Sequence, residues 1–177
     1  MRIEARRTRP RGVRALAAGL RAVALALAAA VATASPEGAA AQTANRVEAF
    51  RDWSVFTADD NGPVCWIATE PKSSEARRGG QLVRVRRGDI YLMVAVRPRQ
   101  GVESEISFVA GYPIRDGSEP RIQIGSDRTE MFSEGENAWP RPEDDAGLVE
   151  SMRAGVTAVV TAVSSRGTTT TDRFSLL

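Results

Sequence analysis

Cys65 is the single cysteine of this chain, and histidine is absent altogether. These two facts bound the available chemistry. Without histidine there is no side chain that titrates unperturbed near neutrality, no imidazole ligand for zinc, and no Ser/His or Cys/His nucleophile. One thiol cannot form a metal-binding cysteine pair, and no glycine-rich phosphate loop follows a strand pattern. Acid–base chemistry would fall to paired carboxylates. The densest acidic run is Glu143, Asp144 and Asp145, and it leads into a helical pattern, where acids complement the positive end of the helix dipole. A calcium loop would need acids at alternating positions around a glycine turn. The expectation is no catalytic residue, no metal ligand and no cofactor.

Two further features invite a binding role. Arg87-Gly88-Asp89 spells the integrin-recognition tripeptide, in a stretch that reads as a hairpin tip. Gly-Asp is also ordinary turn chemistry between strands, and the turn reading is preferred. Trp53 and Trp66 lie within strand patterns and are expected in the core. Trp139, between Ala138 and Pro140, reads as a loop residue. It is the candidate for an interaction surface.

The elements that must position these residues are mostly strands. Phe50, Trp53 and Val55 alternate loosely across one segment, and the turn cluster from Asp59 to Pro63 separates it from the apolar run Val64–Thr69. Residues 70–80 are polar and read as a solvated loop. Leu82 to Val96 reads as a hairpin turning at Arg87-Gly88-Asp89. Two more hairpins turn at Gly125-Ser126-Asp127 and at Arg166-Gly167. One helix is expected at about 143–153, with Pro142 before it, three acids in its first turn, Arg153 in its last and Gly155 at its stop. The resulting fold class is mainly β: a sandwich or partly closed barrel of about eight to nine antiparallel strands with one short helix.

The N-terminus reads as a secretory signal peptide over residues 1–41, with six arginines up to Arg14, an apolar stretch and small residues ending at Ala41. The uninterrupted apolar run Ala22–Ala34 is 13 residues, short of the ~20 needed to span a membrane. No transmembrane segment is expected after cleavage. Residues 42–177 form one domain and carry 17 arginines and lysines against 20 acids, a net charge of −3. That balance argues against nucleic acid, which needs a positive surface.

The segments "FRDWSVF", "CWIATEPKSS", "VRRGDIYLMVAVRP", "ISFVAGYPI", "FSEGENAWPRPEDDAGLVESMRAG" and "SSRGTTTTDRFSLL", in this order and spacing, resemble the invasion-associated locus B family. These are exported proteins of alphaproteobacteria. The resemblance runs from about Val47 to Leu177 and implies a periplasmic or envelope-associated β-rich domain, with no catalytic residues to transfer. Proteins of this kind look as though they continue past "FSLL" with a glycine and aromatic segment, often with a late cysteine. The chain is therefore expected to be truncated, and a C-terminal carboxylate straight after two leucines of a core-bound strand would be costly. Cys65 has apolar neighbours and reads either as a buried inert thiol or as half of a disulfide whose partner lies beyond residue 177. The resemblance favours the disulfide.

Three functions follow. The first is a non-enzymatic periplasmic binding module with an unidentified envelope partner. The second is a surface-exposed adhesin or invasion factor. The third is a carboxylate-pair hydrolase acting on envelope glycans.

Overall fold

The structure is a computed structural model that describes residues 44–177. The expected signal peptide lies outside the described residues. The described chain is mainly β, as expected, with a single α-helix. Twelve strands follow in chain order: β1 Asn45–Phe50, β2 Trp53–Asp59, β3 Pro63–Thr69, β4 Ser73–Arg78, β5 Gln81–Leu82, β6 Tyr91–Arg97, β7 Val102–Val109, β8 Arg121–Ile124, β9 Asp127–Glu134, β10 Asn137–Pro140, β11 Thr157–Val163 and β12 Thr169–Ser175. The helix α1, Pro142–Ala154, lies between β10 and β11.

All strand pairs are antiparallel and join in one unclosed sheet, ordered β1-β2-β3-β6-β7-β10-β9-β8-β11-β12-β4-β5. β9 makes the corner. Its first half, Asp127–Glu130, pairs with β8, and its second half, Met131–Glu134, pairs with β10. The ribbon thereby folds into two layers whose inner faces meet. Leu92, Ile106 and Phe108 from one layer share a core with Ile122, Val160 and Phe174 from the other, and the Phe108 and Phe174 rings touch edge to face at 6.1 Å. The helix adds Leu148 and Met152. Its boundaries follow from Pro142 in the first turn, the three acids behind it and Gly155 at the stop, as the sequence pattern requires.

Two of the three expected hairpins form, β8–β9 over Gly125-Ser126 and β11–β12 over Gly167, and the expected turn cluster joins β2 to β3 through Asn61-Gly62. Two expectations need correction. Residues 73–78 are not a loop but β4, held to β12 from Thr169↔Arg77 to Arg173↔Ser73. The strand is polar because only Ala76 of its side chains is buried. The Leu82–Val96 hairpin does not form. β5 pairs with β4 in one layer and β6 with β3 and β7 in the other. Residues 83–90 are therefore an irregular crossover between layers, and the Arg87-Gly88-Asp89 stretch lies inside it.

An ion pair anchors that crossover. The Arg87 guanidinium donates from both terminal nitrogens to the two Asp172 carboxylate oxygens at 2.7 Å each, and from Nε and Nη2 to the Ala110 carbonyl at 2.9 and 2.7 Å. Its side chain is 7 % exposed and that of Asp172 is 0 %. Ser74 donates a further hydrogen bond to Asp172, and the Tyr112 ring lies 4.9 Å from the guanidinium carbon. Beside it, the Gly88 N–H donates to the Gly111 carbonyl at 2.8 Å.

Candidate functional site

Trp139 is in a strand, not a loop. β9 and β10 form a tight hairpin over Gly135-Glu136, with Glu134↔Asn137, Ser133↔Ala138 and Phe132↔Trp139 directly opposed. Alternation sends Met131, Ala138 and Pro140 inward, where all three are buried. It sends Phe132, Glu134 and Trp139 to the outer face. There the Phe132 and Trp139 rings stack at 5.6 Å and 26°. Cross-strand aromatic pairs of this kind hold each other's rotamers on a sheet. Phe132 nevertheless remains 54 % exposed.

The stacked pair lines an open groove of about 680 Å³. On the neighbouring β7, Glu103 and Glu105 share the outward parity of Trp139, because Phe108 and Ala138 are paired on the inner face. Glu134 and Asp145 complete the acidic lining. Glu105 is tied to Arg97 at 2.9 Å. Glu103 and Glu134 make no ion pair among the described residues. The exposed Phe132 ring, the half-buried Trp139 ring and the Glu103 and Glu134 carboxylates thus share the outer face of these strands.

Asp145 has a second duty beyond the helix dipole. β10 ends at Pro140 and its register with β7 stops at Ala138↔Phe108. The Ile106 N–H is left without a strand partner on that side, and the Asp145 Oδ1 accepts it at 3.1 Å. Burial pushes the Asp145 carboxyl above the usual carboxylate range against the pull of that hydrogen bond, with Glu105 and Asp144 adding to the rise. A raised folded value means that the native state binds the proton more readily than the unfolded chain. Relative to Asp145→Asn, which keeps an acceptor for Ile106, the wild-type protein should therefore gain stability as the pH falls through the raised Asp145 pKa toward the unfolded value. At neutral pH that advantage is absent. Urea melts of both proteins from pH 7 to pH 3.5 check the sign. Asp145→Ala, which leaves the N–H unpaired, should lose about 1–3 kcal/mol at either pH.

The other sequence candidates are placed as follows. Trp53 is in the core, as expected. Trp66 is not: it stacks on Phe56 at 5.4 Å on the outer face of β2–β3, half-buried. Arg87 is locked to Asp172, so the Arg87-Gly88-Asp89 tripeptide does not present its arginine to a partner. Cys65 is exposed, which overturns the buried-thiol reading. It stands opposite Thr57 and Val96, in parity with core residues Ile67 and Leu92. The second layer does not reach that end of the row, and Val96 beside it is 38 % exposed. No second cysteine exists in this chain to complete a disulfide. Leu177 is 53 % exposed rather than directed into the core.

Among the described residues no cluster of three potential ligands is arranged to hold a metal ion, and no helix is long and apolar enough to cross a membrane. No protein-family model, curated protein or solved structure matches this chain. The aromatic–acidic groove was legible in part. "FSEGENAW" places Phe132 and Trp139 symmetrically about a Glu-Gly-Glu turn, which is the signal for a two-residue hairpin with an aromatic cross-strand pair.

Proposed function

We propose that this chain is an exported, non-enzymatic binding module of the cell envelope, of the invasion-associated locus B type, and that the Phe132–Trp139 groove is its ligand surface. One observation carries the reading: a stacked aromatic pair faces solvent beside two carboxylates, Glu103 and Glu134, that no cation of the described residues neutralises. Aromatic faces attract cations through their quadrupole, and adjacent carboxylates reinforce that preference. The occupant that fits is a basic segment of an envelope protein, with lysine or arginine over the rings and its charge toward the glutamates.

Anisotropy titration of a labelled lysine- and arginine-rich peptide tests this. Binding should weaken at least about tenfold in Trp139→Ala and again in Glu103→Gln/Glu134→Gln, as truncation of an aromatic anchor and loss of its charge partners predict. Equal affinity for a glutamate-rich peptide of the same length would overturn the reading. Protease shaving of intact cells separates a periplasmic location from surface exposure: digestion before the outer membrane is breached favours the adhesin.

A second reading, carboxylate-pair hydrolysis of envelope glycans, draws on Asp145. It is a carboxyl with a raised pKa in the same groove as Glu105, the pairing expected of a general acid and its partner. Release of reducing sugar from envelope glycan that disappears in Asp145→Asn would support it.

A further inference from the structure

A second concavity lies over the layer crossover. It is a cleft of about 500 Å³ between residues 84–87, Gly111-Tyr112 and the turn after β11. Arg78, Arg84, Arg86 and Arg166 line it, with Glu136 as the one acidic side chain of its rim. Arg78 donates to the Thr168 hydroxyl at 2.8 and 3.1 Å, a neutral partner that leaves its charge uncompensated. Arg84, Arg86 and Arg166 are exposed and make no ion pair or side-chain hydrogen bond among the described residues. A domain of net charge −3 therefore gathers four unneutralised guanidinium groups around one cleft. Their like charge raises the local positive potential, which an anion entering the cleft would find favourable.

The lining specifies the anion further. Guanidinium forks match phosphate oxygens two at a time, and the cleft also presents hydroxyls from Ser165 and Thr168. Its floor is rigid, because Arg87 beneath is committed to Asp172 and Ala110. Burial holds the Tyr112 phenol above its ordinary range, so that group stays a neutral hydroxyl hydrogen-bonded to Thr170. Exposed apolar side chains stand beside these arginines: Val85, 40 % exposed, lines the cleft between Arg84 and Arg86, and Leu82, 64 % exposed, precedes it at the end of β5. Exposed apolar side chains interleaved with arginines suit a lipid interface, where the arginines reach phosphate and the apolar groups reach acyl chain.

We propose that this arginine cleft binds the phosphate of an anionic lipid headgroup, with Leu82 and Val85 against the first acyl carbons. The site is separate from the aromatic–acidic groove, and its charge is opposite.

The test is calorimetric titration of the full chain with monomeric dihexanoyl phosphatidate, below its micelle concentration, and in parallel with inorganic phosphate. Phosphatidate should bind at least tenfold more tightly than phosphate. Arg84→Glu/Arg86→Glu should lower phosphatidate affinity at least tenfold while leaving the melting temperature within a few degrees, both side chains being exposed. Leu82→Ser/Val85→Ser should remove the phosphatidate advantage and spare phosphate binding. Equal affinity for the two probes would overturn the proposal in favour of a free-phosphate site. Phosphatidate affinity unchanged in Arg84→Glu/Arg86→Glu would overturn it outright and assign any binding to another region, such as the arginine-rich segment before residue 42.

Discussion

Arg87→Ala is expected to destabilise the protein by about 3–5 kcal/mol, the usual cost of removing one partner of a buried ion pair. The magnitude follows from what is left behind. Asp172 is fully buried, and without the guanidinium it keeps only the Ser74 hydroxyl among the described residues. The Ala110 carbonyl loses two donors in the same step. An uncompensated carboxylate in a low-dielectric interior is the expensive feature, not the lost attraction itself. A double variant separates the two. Arg87→Met/Asp172→Leu removes both charges and should recover most of the loss, because well-packed apolar replacements of buried ion pairs are often neutral. Arg87→Lys keeps the charge but not the planar fork that reaches both carboxylate oxygens, so it should fall between wild type and Arg87→Ala. Urea unfolding midpoints give all three values. An Arg87→Ala midpoint equal to that of wild type would mean that the crossover is held by something other than this pair.

The second large effect is expected at Gly111. Its backbone is left-handed, at φ +68°, and an added Cβ would lie 2.6 Å from the Gly88 carbonyl oxygen and 2.9 Å from that of Asp89. Both obstacles are backbone atoms, so no side chain can swing aside. Gly117 offers an internal control. It has nearly the same conformation, φ +69°, but nothing within 4 Å of the Cβ position. Gly117→Ala should therefore show only the conformational penalty, about 1–2 kcal/mol. Gly111→Ala should carry that penalty plus an overpacking cost of about 1–3 kcal/mol. Thermal melts of the two variants read the difference directly, and equal destabilisation would show that the Gly88–Gly111 approach has slack. Because Gly111 and Arg87 both line the arginine cleft, Gly111→Ala should also weaken phosphatidate binding in proportion to the displacement of the crossover.

Several features were legible because their signals are local. The helix ends are written in Pro142, the acid run and Gly155, and each acts within one turn of itself. The β8–β9 and β11–β12 hairpins follow from glycine between two alternating arms. Burial was not readable: Cys65 has apolar sequence neighbours, but Val64 and Trp66 lie on the opposite face of β3 and Cys65 itself is exposed. Trp139 stands out in the sequence but its partner Phe132 does not, because a strand as short as β10 reads as loop. Proline at both Pro140 and Pro142 obscured a strand of four residues.

What the sequence by itself determined, then, is a mainly β chain with one helix, two of its hairpins, a net charge of −3 over residues 42–177 and the absence of histidine chemistry. These depend on residue type and on contacts a few positions apart. Only the tertiary structure decided whether Leu82 and Tyr91 belong to one hairpin or to two layers, since that rests on Arg87 meeting Asp172, 85 residues away. It likewise decided that Cys65 is exposed: parity assigns a face, but only the extent of the opposite layer determines whether that face is covered. Both candidate binding surfaces arise the same way, from strands and loops distant in sequence brought side by side, so that acids collect around one aromatic pair and arginines around one crossover.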